Sequence, residues 1–231
     1  ILIQQHILGI KDLPTPYKII AADIDRNNQV STIDLVFLRR AILGIDNSFP
    51  NDNTSWRFVL ADHEFTNASN PFVDDFPEFL DFATVPSGQI TASFIGVKVG
   101  DVNESAVTDA TQLNVEAPAA LMVYASDQEV KAGEVVSVPL ELGEEQKTVI
   151  GYQFSMDFDR SKLELLDIKP LNPSVDVSTH FGDFRERGTL TTSWNAEEGI
   201  EAGEARFELT FMAKSAGKLA DWLGINSSMT P

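Results

Sequence analysis

VVSVPLELGEEQKTVIGYQFSMDFD, residues 135–159, alternates apolar and polar side chains through both of its halves. Val136, Val138, Leu140 and Leu142 point one way while Ser137, Pro139 and Glu141 point the other. Further on, Tyr152, Phe154, Met156 and Phe158 oppose Gln153, Ser155 and Asp157. Successive strand residues face opposite sides of a sheet, so this period predicts strands with one buried face. The period returns in ARFELTFMAK, residues 205–214, where Phe207, Leu209 and Phe211 oppose Arg206, Glu208 and Thr210. Strands of this kind bury their apolar faces against one another, which predicts an antiparallel β-sandwich over residues 120–231. Pro139 has no N–H for the ladder and belongs at an edge or a bulge. Trp194 and Trp222 are expected in the core of this sandwich, the alternative being a surface on which sugar rings stack.

N-terminal to the sandwich, residues 104–119, ESAVTDATQLNVEAPA, are small, polar and without a period, and are predicted to be a linker. The linker separates the sandwich from a first domain, residues 1–103, whose most informative stretch is DIDRNNQVSTID, residues 23–34. Asp23, Asp25, Asn27, Ser31 and Asp34 take the first, third, fifth, ninth and twelfth places of that stretch, and Gln29 takes the seventh, where a backbone carbonyl serves. This is the spacing of a calcium loop, which gathers six to eight oxygens at about 2.3–2.6 Å from the ion. Val30 is apolar and anchors the loop. Asn28 stands at the sixth place, where glycine is usual, and asparagine tolerates positive φ. The alternative is a capped turn, with Ser31 as N-cap and Asp34 near the positive end of a helix. That alternative accounts for Ser31 and Asp34 but not for Asp23, Asp25 and Asn27.

The helical pattern that follows is repeated. ILIQQHILGI, residues 1–10, aligns with VFLRRAILGI, residues 36–45, so that Ile7, Leu8, Gly9 and Ile10 match Ile42, Leu43, Gly44 and Ile45. Both copies carry apolar residues at helical spacing and end at a glycine suited to a left-handed cap. The first copy has a helix without a preceding loop, so the domain is expected to begin upstream of residue 1. A calcium loop followed by VSTIDLVFLRRAILGI, in tandem, resembles a type I dockerin module. The resemblance covers residues 1–46 and implies an EF-hand-like calcium site and a cohesin partner. It also implies contacts through Thr32 and Ile33 and through the basic pair Arg39 and Arg40.

The next stretch, NTSWRFVLADHEFTNASNPFVDDFPEFLDF, residues 53–82, is rich in Asn, Pro and Phe. With the later GDVN it resembles the extended dockerin-like segments of large secreted proteins of Bacteroidetes. Trp56, Phe58, Phe65, Phe72, Phe76 and Phe79 are expected to form a satellite core, and ITASFIGVKV, residues 90–99, a strand. In GDVNESA, Asp101, Asn103 and Ser105 repeat the start of the loop spacing, with Asp109 at the ninth place and Gln112 at the twelfth. This is a partial calcium site or a polar turn leaving a strand. In a third arrangement, Asp101 and Asn103 pack against the first repeat.

The second domain also carries a resemblance. VKAGEVVSVPLELGEEQKTVIGYQFSMDFDRSKLELLDI, residues 130–168, resembles the N-terminal half of a cohesin, including the turn Asp159-Arg160-Ser161-Lys162-Leu163. Cohesins share a jelly-roll sandwich with certain carbohydrate-binding modules. By this likeness another strand is expected beyond LGINSSMTP. The predicted fold class is therefore mixed: a small α-helical, dockerin-like calcium module with an irregular and β extension, followed by a cohesin-like β-sandwich.

Composition removes other functions. The formal net charge is −18, which disfavours nucleic acid and anionic membranes. There is no cysteine, hence no thiolate metal site, catalytic thiol or disulfide. No apolar run reaches the ~18 residues of a membrane span. His6, His63 and His180 are scattered, no nucleophile elbow or phosphate loop is present, and the neighbouring carboxylates Asp74 and Asp75 are expected by chance in so acidic a chain. The expected function is a non-catalytic assembly or adhesion module of an exported protein, extracellular or at the cell surface. Its partner would be a cohesin- or dockerin-type protein, or a neighbouring domain of the same polypeptide. A carbohydrate-binding accessory of a polysaccharide-degrading system is the alternative.

Overall fold

The computed structural model describes residues 1–84, 90–106, 122–143, 148–201, 203 and 205–226. The chain divides into two compact units, one made of Ile1–Ala41 and Asp46–Val115, the other of Ile42–Ile45 and Glu116–Pro231. The linker expected at 104–119 lies, beyond Ala106, outside the described residues, as do Asp109, Gln112 and residues 227–231.

The first unit opens with helix α1 (Leu2–Ile7), α2 (Pro16–Ala22) and α3 (Thr32–Ile42). The glycines after α1 and α3, Gly9 and Gly44, take φ of +68° and +70°, the left-handed geometry that lets each helix end abruptly. Helix α2 is a helix that the sequence reading passed over. Its signal is Thr15-Pro16: the Thr15 hydroxyl accepts the Lys18 N–H at 3.3 Å, and proline fills the first turn, where no N–H is needed. It supplies the centre of the small core, Ile19, Ile20, Ala21 and Ala22, against which Ile3, Leu13, Val59, Val97 and Val102 pack. Strands β1 (Trp56–Leu60) and β2 (Phe94–Lys98) pair antiparallel, Trp56 opposite Lys98 and Phe58 opposite Gly96. The pleat sends Arg57, Val59 and Val97 inward. Of the six aromatics expected in the satellite core, Phe65, Phe72 and Phe76 pack on it, and Trp56 is half-buried. Phe58 and Phe79 do not, being 49% and 69% exposed. Phe58 alternates with inward-facing Arg57 and Val59 and is carried to the outer face of β1, and Phe79 follows Glu78, whose carboxylate is turned toward Arg57.

The second unit is a sandwich of two four-stranded antiparallel sheets. Its strands are β3 (Val123–Ala125), β4 (Glu129–Val130), β5 (Val135–Leu142), β6 (Thr148–Phe158), β7 (Leu163–Pro170), β8 (Phe181–Phe184), β9 (Thr189–Glu201), β10 (Ala205–Ala213), β11 (Gly217–Lys218) and β12 (Leu223–Asn226). A short helix, α4 (Val177–His180), precedes β8. One sheet runs β3-β5-β10-β7, the other β12-β6-β9-β8, and β11 pairs with β4 beside them. The predicted inward set on β5, Val136, Val138, Leu140 and Leu142, is buried and faces Tyr152, Phe154, Met156 and Phe158 of β6. Two aromatic pairs in edge-to-face contact join the sheets, Phe158 with Phe211 at 5.3 Å and Phe181 with Phe207 at 4.8 Å. Pro139 sits just past the end of the β3 pairing, which stops at Leu140, so among the described residues β5 has no strand partner on that side there. The turn at Asp159 is a local hydrogen-bond device: its carboxylate accepts the Ser161 N–H and hydroxyl at 2.8 and 2.7 Å.

On β10 and β7, bulges correct the simple alternation. On β10 the register slips between Ala205 and Phe207, so Arg206 is the extra residue. Arg206, expected on the outer face, is only 2% exposed, with its guanidinium 5.6 Å from the Trp194 ring. On β7 the register slips opposite Thr210/Phe211, which buries both Leu165 and Ile168 and leaves Leu166 outside. Ser155, also expected outside, is buried. Trp194 is a core residue, stacked on Tyr152 at 5.5 Å with its Nε1 donating to the Ser174 carbonyl at 3.1 Å.

Candidate functional site

The loop between α2 and α3 reverses over two left-handed residues, Arg26 (φ 54°) and Asn28 (φ 64°). That path turns backbone N–H groups inward onto carboxylates. Asp23 accepts the N–H of Asn27 at 3.0 Å and of Asn28 at 3.2 Å; Asp25 accepts the Asn27 N–H at 3.2 Å. Asp34 reaches back across the loop from the first turn of α3 and accepts the N–H of Ile24 at 2.8 Å and of Asp25 at 3.2 Å. Its other oxygen accepts the Ser31 N–H at 2.8 Å, and the Ser31 hydroxyl in turn accepts the Ile33 N–H at 3.3 Å. The cap that competed with the metal loop as a reading is thus present, and it uses only one of the two Asp34 oxygens.

Asp23, Asp25 and Asp34 each bring a carboxylate oxygen to within 4.8 Å of the others, and all three residues are buried. Burial raises the Asp23 carboxyl to about 6, the Asp34 charge adding to it and the Asn27 and Asn28 amides offsetting part. Burial and the Asp34 charge raise Asp25 as well. The other expected ligands are placed differently. Asn27 is exposed, its Nδ2 donating to Asp25 at 3.0 Å and its Oδ1 accepting from the Gln29 N–H at 2.8 Å. Gln29 is exposed on the outer limb, Ser31 lies against Asp34, and Val30 packs on the core. The donor set is hard oxygen throughout, which suits a hard divalent cation and not zinc or copper.

A surrounding layer holds this loop, and the sequence reading missed it. Asn53 donates to the Asp23 and Ile24 carbonyls at 3.2 and 2.9 Å, and Asn51 donates to the Asp25 carbonyl at 2.6 Å. Arg57 places a guanidinium nitrogen 3.7 Å from Asp23. The signal available was a lone arginine among aromatics in a chain with twice as many acidic as basic residues.

Asp101 and Asn103 do not join this cluster. Asp101 accepts the N–H of Ser105 at 3.0 Å and of Ala106 at 2.8 Å, the same pattern by which Asp23 accepts from Asn27 and Asn28, and the ninth and twelfth places of this stretch, Asp109 and Gln112, lie outside the described residues. The histidines have local roles: His6 accepts the Leu13 N–H at 3.3 Å, His180 accepts the Asp176 N–H at 2.9 Å, and His63 packs edge-on to Phe65 at 4.7 Å.

On α3, Thr32 and Ile33 are exposed, Arg39 is half-buried and Arg40 is exposed. Arg40 grips Asp46 with two bonds of 2.6 and 2.7 Å. Val36, 49% exposed, stands one turn after Ile33 and one before Arg40, and is an apolar member of this face that the sequence reading left out. No helix among the described residues is long and apolar enough to cross a membrane.

Residues 122–227 match the family model described as the cohesin domain. No curated protein matches the chain. Among solved structures the chain is similar to a type I cohesin–dockerin complex from Clostridium thermocellum, at 18% identity over 36% of this chain and 59% of that one, with a TM-score of 0.32. It is similar to the sixth cohesin of scaffoldin B from Acetivibrio cellulolyticus, solved with a Cel5 dockerin, at 19% identity over 46% and 82% of the two chains and a TM-score of 0.36. A third is the solution structure of CaCohA2 from Clostridium acetobutylicum, at 17% identity over 47% and 81% with a TM-score of 0.32. The chain thus spans 59% of the length of the first of these structures. The sandwich is cohesin-like.

Proposed function

We propose that this chain is a non-catalytic assembly module of an exported protein, in which the sandwich recognises a dockerin-type protein and the loop unit is a calcium-stabilised, dockerin-like element. The observation that carries the first half is the match of residues 122–227 to the cohesin family. Titration of the protein against a panel of type I and type II dockerins tests it: one saturable complex supports the reading, and none across the panel defeats it.

The second half rests on three buried carboxylates gathered by backbone N–H groups around one point. Asp23, Asp25 and Asp34 would hold Ca2+ there, with Asn27, the Gln29 carbonyl and Ser31 completing an oxygen shell. Bound calcium supplies charge neutralisation and no chemistry. The millimolar calcium outside cells fits such a site. The exposed face of Thr32, Ile33, Val36 and Arg40, with Arg39 beside it, is the surface this unit would offer to a cohesin-type partner. Binding of such a partner should fall at least tenfold in Arg39→Glu/Arg40→Glu; unchanged binding removes that face.

Glycan binding is the second reading. The sandwich gives it little, because Tyr124 is the one exposed aromatic among its described residues. The outer face of β1 and β2 gives it more, since half-buried Trp56 and exposed Phe58 and Phe94 share that face around Gly96. Retardation in polysaccharide gels that disappears in Phe58→Ala/Phe94→Ala would favour it.

A further inference from the structure

We propose that Arg57 is a resident counter-cation of the loop, neutralising Asp23, one of the carboxylates that a divalent ion would neutralise, so that the arginine and the ion oppose each other. The inference rests on the cation-site reading above and extends it to a residue outside the loop.

Arg57 lies on β1 between two outward-facing aromatics, and the pleat turns it inward until only 4% of it is exposed. A guanidinium that deep needs charged partners on every side. Its Nε and one terminal nitrogen grip Glu78 at 3.2 and 2.6 Å, and the Phe76 ring lies 5.1 Å from its Cζ. The remaining terminal nitrogen, Nη1, is buried without a hydrogen-bond acceptor and lies 3.7 Å from Asp23 Oδ2. That separation is too long for a hydrogen bond and short for a charge pair. Glu78 and Phe76 hold the guanidinium where it is, so Nη1 does not close on Asp23. Arg57 therefore delivers charge without occupying a carboxylate oxygen that an ion would use.

Glu78 ties this arrangement to the loop itself, since it also accepts from Arg26 at 3.2 Å. Arg26 is the fourth residue of the loop and Glu78 lies in the aromatic segment, so the three side chains form a bridge from loop to strand. Its fork geometry suits arginine and not lysine. The consequence is electrostatic. With no ion, Arg57 relieves part of the repulsion among three buried carboxylates. With an ion, its positive charge stands against the incoming one, because ligand charge sets affinity in such loops. Linkage makes the opposition mutual: the ion weakens the contribution of Arg57 to stability by the factor that Arg57 weakens the ion.

The experiment uses the full chain, stripped with chelator and titrated calorimetrically with Ca2+, as wild type, Arg57→Met and Arg57→Lys. Methionine keeps a stem on Phe76 and loses the charge; lysine keeps the charge and loses the fork. Arg57→Met should bind Ca2+ about tenfold more tightly than wild type, within the usual range of coupling between sites, and show the larger calcium-induced rise in Tm. Arg57→Lys should stay within about twofold of wild type. Unchanged or weaker binding by Arg57→Met, with Arg57→Lys weakened alike, makes Arg57 a structural residue and overturns the proposal. Arg57→Gln gives the same readout if the methionine variant does not fold. A metal-free arm separates the two readings. In chelator, Arg57→Met should lower Tm less in an Asp23→Asn background than in wild type, and an equal drop overturns the proposal. If wild type takes up no Ca2+, the cation-site reading falls, and the metal-free cycle alone decides the role of Arg57.

Discussion

In the sandwich the largest fully buried side chains are apolar but for Arg206, among them Phe207, Leu209, Phe211, Leu190, Leu163 and Trp194; in the loop unit Asp23, Asp34 and Arg57 are buried alongside Ile20 and Ile24. The first set is stabilised by leaving water, roughly 1.5–3 kcal/mol for each large apolar side chain. The second is stabilised only if its charges are matched, because a buried carboxylate without a partner costs several kcal/mol. The two units thus respond to different variables: the sandwich to volume, the loop unit to pH and cations.

The largest effect expected is on the volume side. Phe211→Ala removes a fully buried ring in contact with Phe158 and should cost about 3–5 kcal/mol. Amide exchange resolved by peptide should show that loss over residues 207–213, with exchange over residues 23–34 unchanged. If both stretches loosen alike, the comparison between the units breaks.

The next effect belongs to the loop. In chelator, Asp23 titrates near 6 in the folded state against an ordinary 3.8. Between those values the folded protein holds a proton that the unfolded chain has released. The contribution of Asp23 to the stability of the metal-free loop unit is therefore full below about pH 4 and is lost as pH rises through about 6, about 3 kcal/mol at roughly 1.4 kcal/mol per pKa unit, while that of Glu78, held low by Arg57, runs the other way. Trp56 lies in this unit and Trp194 in the other. Melting followed in two variants, one keeping only Trp56 and one keeping only Trp194, the other two tryptophans of each replaced by phenylalanine, should show the decline at Trp56 and not at Trp194.

Calcium should reverse that decline. Binding to the folded state alone adds about 2.7 kcal/mol when free calcium is a hundredfold above Kd. Asp25→Ala should abolish the calcium-dependent rise in Tm and leave the sandwich transition where it was. A calcium-dependent rise that survives Asp25→Ala places the ion elsewhere.

The smallest effect sharpens the comparison within the loop unit. Thr15→Ala removes the N-cap of α2, whose residues fill the core beside the loop, and should cost about 1 kcal/mol. It should do so equally with and without calcium, since Thr15 touches none of the carboxylates. A calcium-dependent cost in chemical denaturation would tie α2 to the site.

How much was legible in the sequence differs along the same division. The inward face of β5 and β6 was read directly from alternation, because a strand side chain's direction depends on its place in the chain and little else. Arg206 was misread for the complementary reason: a bulge adds one residue, and nothing in ARFELTFMAK marks where the partner strand slips. The loop spacing named Asp23, Asp25 and Asp34, which lie together, and it named Asn27 and Gln29, which are exposed on the outer limb. Spacing sets which residues can converge but not the layer of Asn51, Asn53 and Arg57 that holds them. Helix α2 carried its signal in Thr15-Pro16 and was missed because the apolar run after it is too short to show a period.

The sequence by itself determined the strand faces of the sandwich, the glycine-ended helices and the order of carboxylates around the loop. All of these arise from contacts within a few residues, where chain geometry leaves few choices. The tertiary structure alone decided the order of strands in each sheet, the burial of Arg206, the exposure of Phe58 and Phe79, and the position of Arg57 3.7 Å from Asp23. Those features depend on segments far apart in the chain, such as the loop at Asp23 and the clasp at Glu78. Their proximity is set by which surfaces can be buried together and by which charges must then be matched, conditions that no local spacing contains.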